Sequence, residues 1–337
     1  VGTPAAFTDV CTDPHAETFA DYRLAYRRPP AEAPEPAPPS GHSDAPAPEP
    51  APPSGQSDAP APFDLTESFA TGAQEHVYLE TQGMAAAYEN DVLTIRGSLQ
   101  CPYYVKTAVV VLTALPEERV RVVQTTTGGA FGGKEEYPSV IACAVALATV
   151  VTRRPTRMIL DRDEDIRVSP KRHPSHVTFT SRLDEQGRWE RSRIDIALDA
   201  GAYLGLSNVV LQRALFGATG AYRLPDAEIV TKTYRTGVVP FGAFRGFGAP
   251  QAVFAVEMHM NHLARARGED PLAFKRRHLL RQNDHTVTEG LLRDPVKLEE
   301  MIDRAVALSD YHRLYREYET IHRIETEPEG AAPGASP

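Results

Sequence analysis

A glycine-rich stretch, Thr125–Glu136 (TTTGGAFGGKEE), constrains the fold of this chain more than any other segment. A short alternating apolar run, Arg119–Gln124, precedes it, and a long apolar segment, Pro138–Val151, follows it. This order predicts a strand, a glycine-rich turn and a buried helix. Glycines let the backbone approach a bulky ligand, and a helix N-terminus adds unpaired N–H donors. The stretch therefore favours a site at which oxyanions bind.

The same loop partly fits a nucleotide-binding phosphate loop. Gly128–Lys134 matches the spacing Gly-x-x-x-x-Gly-Lys, and Met158–Asp161 has the apolar run and aspartate that would hold magnesium. The next residue, however, is Glu135, where a nucleotide loop needs a Ser or Thr hydroxyl on the metal. A carboxylate there would repel triphosphate oxygens, so the sequence disfavours this alternative. A glycine-rich turn that only packs is the other alternative.

A second glycine-rich loop, Phe241–Gln251 (FGAFRGFGAPQ), places one arginine between two phenylalanines. Together with Gly128–Glu135 (GGAFGGKE), it resembles the molybdopterin-binding large subunit of the xanthine dehydrogenase and aldehyde oxidase family. The resemblance covers roughly Phe63–Tyr318. Shorter matches in the family order are His76–Glu80 (HVYLE), Leu99–Gln100, Leu160–Asp165 and Arg172–Pro174, and the xanthine dehydrogenase branch is favoured by Gln100–Val105 and Glu135–Pro138.

This resemblance implies an α+β (mixed α/β) fold and a division of the chain into segments. We expect the first molybdopterin-binding domain at residues 63–322, preceded at residues 1–28 by a remnant of a small domain with a helical-looking Glu17–Tyr26. Residues 29–62 are rich in Pro and Ala and contain an internal repeat, which predicts a disordered spacer or, alternatively, a Pro-rich partner motif. Residues 323–337 predict a disordered tail.

The resemblance also implies roles for individual residues. Molybdenum would be held through molybdopterin without a direct protein ligand, and the Gln100 amide would reach an oxygen on the metal; an ordinary strand-end glutamine is the alternative. Glu135 and Arg245 would be the catalytic residues, holding a purine-like heterocycle and stabilising the charge that accumulates on it. The predicted cofactor-binding residues are Gln100, Gly129, Ala130, Phe131, Gly132, Phe244 and Gly246.

The side-chain chemistry of Arg245, taken without the resemblance, is equally compatible with a functional role and with none. Between Phe244 and Phe247, its guanidinium is expected to be held by stacking while it presents donors to a carbonyl or a developing anion. An arginine without a function is the alternative.

The chain departs from the family pattern in two ways. Ala130 replaces a glycine, which adds a methyl group where the backbone should lie close to the cofactor. The family also continues into a second molybdopterin-binding half with a Gly-Glu catalytic base, whereas here a predicted helix at Val296–Ile321 leads into the tail. We therefore expect that second half, together with iron–sulfur and FAD-containing subunits, on partner chains.

Patterns along the rest of the chain predict elements and histidine environments. Ser139–Thr152 is apolar nearly all round and is expected inside the domain. The charged run Asp161–Asp165 is expected to be a solvated or salt-bridged loop without a chemical role. His173 and His176 have the spacing of a metal pair, but no third ligand is near, so surface histidines are expected. The other predicted elements are strands at His76–Glu80, Val92–Arg96, Arg157–Asp161 and Glu228–Arg235, a hairpin of His176–Leu183 with Arg188–Leu198, and helices at Pro102–Leu115, Val209–Phe216 and from Pro250 to Gly268.

Composition limits the classes of partner. A net charge of -9 argues against nucleic acid as the main partner. Three cysteines occur without a Cys-x-x-Cys pair, which argues against an iron–sulfur cluster or structural zinc in this chain. No signal peptide or membrane-spanning run is evident, so a cytoplasmic location is expected, and the first residue, Val1, leaves open processing, an alternative start or a fragment.

Three functions thus follow as hypotheses. In the first, the chain is one part of an oxidoreductase that hydroxylates a purine, a related N-heterocycle or an aldehyde with oxygen from water. In the second, it is a truncated fragment or partner-binding subunit that keeps the fold without catalysis. The third, a nucleotide-binding protein, is disfavoured by Glu135.

Overall fold

A computed structural model describes Phe7, residues 10–28 and residues 63–326 of the chain. The predicted spacer at residues 29–62 and the tail from residue 327 onward lie outside these residues. The described strands are β1 (Thr18–Arg27), β2 (Phe63–Thr71), β3 (Gly83–Glu89), β4 (Val92–Gly97), β5 (Val120–Gln124), β6 (Thr156–Ile159), β7 (Ser175–Leu183), β8 (Trp189–Gly201) and β9 (Asp226–Arg235). The principal helices are α1 (Pro102–Thr113), α2 (Pro138–Thr152), α3 (Arg162–Val168), α4 (Ser207–Gly217), α5 (Ala249–Ala266), α6 (Pro271–His278), α7 (Leu298–Ser309) and α8 (Tyr311–Thr326).

The larger sheet has five strands in the order β1-β9-β8-β7-β2. Strands β8 and β9 are parallel, and the other neighbouring pairs are antiparallel. Inward-facing residues alternate along β7 and β8, as the period of a half-buried strand requires, and they pack against α4 and α5. The buried His259 of α5 also ties that helix to the sheet, because its ring contacts Glu67 at 2.7 Å and Ser181 at 2.9 Å.

The smaller sheet has four strands in the order β5-β4-β3-β6, with α1 and α2 contributing to its core. Strands β3 and β4 form a hairpin whose turn residues, Asn90 and Asp91, both have positive φ. This is the backbone that a two-residue hairpin turn favours. The predicted strand at His76–Glu80 is wrong, because that segment is irregular and the strand begins at Gly83.

Helix α2 is buried along one side only, which corrects the expectation that it lies wholly inside. Ile141, Ala142 and Val145 are buried against the smaller sheet, whereas Val140 is 59% exposed and Val151 is 73% exposed. Helix α2 therefore presents apolar side chains on both its buried and its exposed face.

Two further predictions at the ends of the chain are corrected. Glu17–Tyr26, which looked helical, contributes instead to β1, an edge strand paired antiparallel with β9. The single helix predicted at Val296–Ile321 is two helices, because Asp310 adopts a left-handed conformation with φ 51° at the junction of α7 and α8. Helix α8 continues to Thr326, into the predicted tail.

The remaining predicted elements are confirmed with small shifts of their bounds, including the β7–β8 hairpin and the strand β9. Among the described residues, no helix combines the length and the apolar character needed to cross a membrane. The two glycine-rich loops join these elements: the first connects β5 to α2, and the second connects β9 to α5.

Candidate functional site

The two glycine-rich loops contact each other directly. The backbone N–H of Arg245 donates to the carbonyl oxygen of Phe131 at 2.9 Å. Gly132 lies against the second loop, and a Cβ atom there would come within 2.7 Å of the Ala243 carbonyl oxygen. Because Gly132 also has φ +101°, any other residue would be strained and would push the loops apart. The structure thus joins the two motifs into one surface, referred to below as the double loop.

Gln100 holds the first loop through its side-chain oxygen. The Oε1 atom accepts hydrogen bonds from the backbone N–H of Gly132 at 3.0 Å and of Lys134 at 3.2 Å. The Gln100 backbone N–H also donates to the Lys134 carbonyl at 2.7 Å. Since its oxygen is occupied in this way, the amide of the exposed Gln100 side chain retains its NH₂ group as a donor for a ligand.

Part of the first loop offers free backbone donors. The N–H groups of Gly129, Ala130 and Phe131 make no hydrogen bond to any other described residue. Phe131 has φ 53° and is 50% exposed. Ala130 is only 8% exposed, so the methyl group that departs from the family pattern is largely covered by protein. Free N–H groups on an exposed loop fit an oxygen-rich cofactor such as molybdopterin.

Lys134 points away from any ligand at the first loop. Its fully buried ammonium donates to Glu80 Oε2 at 3.1 Å and to Ser98 Oγ at 3.0 Å, and it lies 4.8 Å from the centre of the Tyr78 ring. Burial lowers the pKa of Lys134, and the hydrogen bond and charge of Glu80 oppose that shift. A phosphate-loop lysine must reach the nucleotide phosphates, so this contact set argues against nucleotide binding.

A buried polar network supports the loop from behind. The Tyr78 hydroxyl donates to Asp165 Oδ1 at 2.6 Å, and the backbone N–H of Gln82 donates to Asp165 Oδ2 at 2.8 Å. The Gln82 amide then donates to the Gly133 carbonyl at 2.8 Å. The prediction of a solvated or salt-bridged loop at Asp161–Asp165 is wrong, because Asp161 caps the helix α3 and Asp165 is 1% exposed.

Phe244 anchors the second loop through two neighbours that the sequence analysis did not assign to it. Its ring stacks on His76 with centroids 4.3 Å apart, and the Arg172 guanidinium lies 4.1 Å from its centre. Arg172 also donates to the Arg245 carbonyl at 3.0 Å, and His76 Nε2 lies 2.7 Å from the Ala243 carbonyl oxygen. Both residues belong to short family-like motifs, His76–Glu80 and Arg172–Pro174. These motifs were the only indication in the sequence that His76 and Arg172 have a role near the site.

The expected stacking of Arg245 is therefore corrected, since Arg172 is the cation on the Phe244 ring. Arg245 itself is exposed, and its guanidinium has no hydrogen bond or ion pair with another described residue. A guanidinium with free donors beside the first loop can bind an anionic or carbonyl-bearing ligand.

His173 is buried, which corrects the expectation of a surface histidine. It is 1% exposed, and its Nε2 atom lies 2.8 Å from Ser207 Oγ. Burial, with the nearby charge of Arg172, lowers the pKa of His173 to about 3, so the ring is neutral near pH 7. His176 is half-buried, and no cluster of three metal-ligating side chains occurs among the described residues.

Two adjacent carboxyl groups follow the first loop. Burial raises the pKa of Glu135, which is half-buried. Burial also raises the pKa of Glu136 to about 7, against the lowering effect of the Leu206 N–H and with a further rise from Glu135. Both carboxylates raise the pKa of the Cys101 thiol beyond the effect of its burial. Near neutral pH the Glu136 carboxyl is therefore protonated in part of the molecules and can exchange its proton.

Solved structures show which fold this chain adopts. The aldehyde oxidoreductase from Desulfovibrio gigas superposes with a TM-score of 0.75 and 21% identity, covering 91% of this chain and 31% of that one. A CO dehydrogenase from Oligotropha carboxidovorans superposes with a TM-score of 0.68 and 22% identity, covering 79% and 34%. These similarities confirm the predicted mixed α/β fold.

Sequence comparison then identifies the family. Residues 56–279 match the molybdopterin cofactor-binding domain, and the chain belongs to this family. A nicotinate dehydrogenase large molybdopterin subunit from Eubacterium barkeri is 33% identical over 240 residues, which are 71% of this chain and 56% of that protein. The xanthine dehydrogenase of Drosophila pseudoobscura pseudoobscura is 35% identical over 253 residues, which are 75% and 19%. The chain thus spans about half of the first relative and about one fifth of the second.

Proposed function

We propose that this chain is the molybdopterin-binding part of a molybdenum hydroxylase that acts on a purine, a related N-heterocycle or an aldehyde. The observation that carries the proposal is the double loop, in which Gln100, the free N–H donors of the first loop and the loop of Arg245 share one surface. The overall reaction converts C–H and water into C–OH, two protons and two electrons. The bound cofactor supplies the oxidation chemistry, and the protein supplies position and charge.

Gln100 and the first loop would hold the cofactor. The Gln100 NH₂ group and the N–H groups of Ala130 and Phe131 are donors, which suits the carbonyl and phosphate oxygens of a molybdopterin. The backbone around Phe131 and Gly132 would approach the cofactor. Gly132 keeps this backbone against the second loop, because a Cβ atom there would meet the Ala243 carbonyl. Tyr78 and Gln82 keep this backbone in place from the buried side.

Arg245 and Glu135 would hold the substrate. The free guanidinium of Arg245 stabilises negative charge that develops on a heterocycle when its carbon is attacked. The half-buried Glu135, whose pKa is raised by burial, can accept from a ring N–H or, when protonated, donate to a ring nitrogen. This pair favours N-heterocycles over simple aldehydes, because an aldehyde offers no second polar group to Glu135.

The remaining parts of such an enzyme would be supplied by partner chains or by further sequence. We infer a second molybdopterin-binding half with the catalytic glutamate, and iron–sulfur and flavin subunits that receive the electrons. The name of the Eubacterium barkeri relative, a large molybdopterin subunit, supports an enzyme built from several chains. A 34% identical relative from Bacillus subtilis, which is also named as one subunit of a probable xanthine dehydrogenase, supports the same arrangement.

Molybdenum and pterin content test the proposal. The chain is purified from a host that makes the molybdenum cofactor, once alone and once with its genomic neighbours co-expressed. We expect close to one molybdenum per chain only with a neighbour that carries the missing half, and then hydroxylation of purines with an artificial electron acceptor. No molybdenum in either preparation would favour the alternative, a non-catalytic fragment that keeps the fold.

A further inference from the structure

An open cavity of about 670 Å³ lies at the end of the five-stranded sheet that is remote from the double loop. Trp189, the first residue of β8, lines the cavity, whereas Ala200, near the other end of β8, bonds to Phe241 of the second loop at 3.1 Å. An extended strand rises ~3.3 Å per residue, so the two sites are about 35 Å apart. Five guanidinium groups line this arginine cavity, those of Arg28, Arg188, Arg223, Arg277 and Arg281.

The positive charge of the arginine cavity is only partly compensated. Among the described residues that line it, Asp184 is the single carboxylate, and it pairs with Arg188 at 2.7 Å. Arg277 pairs with Glu269, and Arg281 pairs with Glu299 at 3.3 Å, both outside the lining. Arg28 pairs with Asp284 at 2.6 Å, also outside the lining, which leaves Arg223 at 3.9 Å from the same carboxylate oxygen. Arg223 is thus the lining arginine whose charge is least compensated. The Arg223 guanidinium makes no hydrogen bond elsewhere in the described chain. Burial lowers the pKa of Arg223, and repulsion from Arg28 adds to this shift.

Two aromatic residues line the arginine cavity and have unused polar atoms. Trp189 is 5% exposed and His278 is 6% exposed, and their rings are perpendicular with centroids 5.7 Å apart. Trp189 Nε1 and His278 Nε2 have no hydrogen-bond partner among the described residues. Burial lowers the pKa of His278 to about 4, so near pH 7 its ring is neutral and adds no charge.

We propose that the arginine cavity binds a small anion that carries two or more phosphate or carboxylate groups. Its volume lies in the range of small-molecule sites, and guanidinium groups match the paired oxygens of phosphate and carboxylate. The concentration of arginines is local, because the whole chain has a net charge of -9. The aromatic wall and the bounded volume favour a small ligand over an acidic polypeptide.

Binding to the arginine cavity can be followed by tryptophan fluorescence, because Trp189 lines the cavity and is the only tryptophan of the chain. The full chain is titrated with pyrophosphate and, separately, with citrate at constant ionic strength, and Trp189 fluorescence is followed. We expect a saturable change at or below the low millimolar range. Saturation by pyrophosphate alone assigns a phosphate ligand, and saturation by citrate alone assigns a carboxylate ligand.

Arginine variants test whether the change in Trp189 fluorescence comes from an anion bound in the arginine cavity. Arg223→Gln should weaken binding at least tenfold, because charge-assisted hydrogen bonds are lost. Arg313→Gln, an exposed α8 arginine paired with Glu317 at 2.9 Å, should leave binding unchanged. Circular dichroism verifies the fold, and Arg188→Gln, whose side chain is 75% exposed, is the second variant if Arg223→Gln does not fold.

Three results would overturn the proposal: no saturable change with either anion, equal affinity in all variants, or binding of polyglutamate without binding of either small anion. The titration needs neither molybdopterin nor partner chains. Its outcome is therefore independent of whether the chain forms part of a molybdenum hydroxylase.

Discussion

Gln100 uses the two atoms of its side-chain amide differently, and paired variants can separate these uses. Gln100→Glu keeps an oxygen for the Gly132 and Lys134 N–H groups but removes the donor that faces the ligand. We expect it to preserve stability and to reduce molybdenum content in the co-expressed enzyme. Gln100→Leu removes the acceptor as well and should also lower the unfolding free energy by about 1–2 kcal/mol.

Urea unfolding and metal analysis of both Gln100 variants test this assignment. Full molybdenum content in Gln100→Glu would show that the NH₂ group is not used. Equal loss of stability in the two variants would show that the Gly132 and Lys134 contacts do not depend on an oxygen acceptor.

Glu136 should make stability depend on pH in a predictable direction. Its folded pKa is raised by burial to about 7, above an ordinary value of 4.5, so the folded chain binds the extra proton between these values. Its contribution therefore weakens as pH rises through this window, by about 3 kcal/mol at most. The unfolding free energy of Glu136→Gln, relative to the unmodified chain, should rise between pH 5 and pH 8.

Urea unfolding at both pH values measures that difference, with Glu118→Gln as the control because Glu118 is exposed. The control should differ from the unmodified chain by the same amount at both pH values. A Glu136→Gln difference that is also constant would contradict the buried, protonated carboxyl.

Local motifs identified the loop residues of the candidate site, but not the side chains that hold them. The motifs around Phe131 and Arg245 are contiguous, so a single sequence shows them. The stacking of Arg172 on Phe244 joins residues distant in sequence, and nothing local distinguishes it from stacking by Arg245. His173 was misjudged for the same reason, because its ring contacts Ser207 of α4, which is distant in sequence.

At the scale of elements, α2 combines a structural face with an exposed apolar face. Val145→Ala, at a position 3% exposed, should cost about 2 kcal/mol because it leaves a cavity. Val151→Ala, at a position 73% exposed, should change stability by less than about 0.5 kcal/mol. Chemical denaturation of both variants measures the difference. Equal costs would mean that the exposed face is covered, for example by self-association.

Removing strand β1 would test whether residues 1–28 are a separate remnant of another domain, as the sequence predicts. Deleting residues 1–27 removes the pairing with β9 and the buried Tyr26, so we expect a loss of at least about 3 kcal/mol. Arg23→Ala, on the same strand with a 71% exposed side chain, should cost less than about 1 kcal/mol. Thermal unfolding distinguishes the cases. An unchanged transition after deletion would support the separate remnant predicted from the sequence.

Element patterns were most informative where burial was one-sided and regular. The alternation in β7 and β8 identified their hairpin, whereas β3 (GMAAAYE) carries three small alanines that give no such contrast. The break at Asp310 was missed because α7 and α8 continue one amphipathic pattern across it. The helices α1 and α2 were predicted from the sequence. The exposed side of α2 was not, because the helix is apolar on all sides and its composition does not distinguish the packed side from the exposed one.

At the scale of the whole molecule, two separate hydrophobic clusters lie on either side of a polar seam. One surrounds Ile194 on the larger sheet, and the other surrounds Ile95 on the smaller sheet. The seam contains Tyr78, Lys134 and Arg172, which are buried and hydrogen-bonded but belong to neither cluster. The first loop follows β5 of the smaller sheet, and the second loop follows β9 of the larger sheet. A cofactor bound to both loops would therefore stabilise the folded state of the two clusters together.

Calorimetry of the chain alone should accordingly show two thermal transitions below about 65 °C, since each cluster can unfold with limited loss from the other. Ile95→Val should lower one transition and Ile194→Val the other, because each removes one buried methyl group from a single cluster. Cofactor loading should move the transitions together. One sharp transition well above 65 °C, lowered equally by both variants, would show that the polar seam alone is sufficient to make the two clusters one cooperative unit.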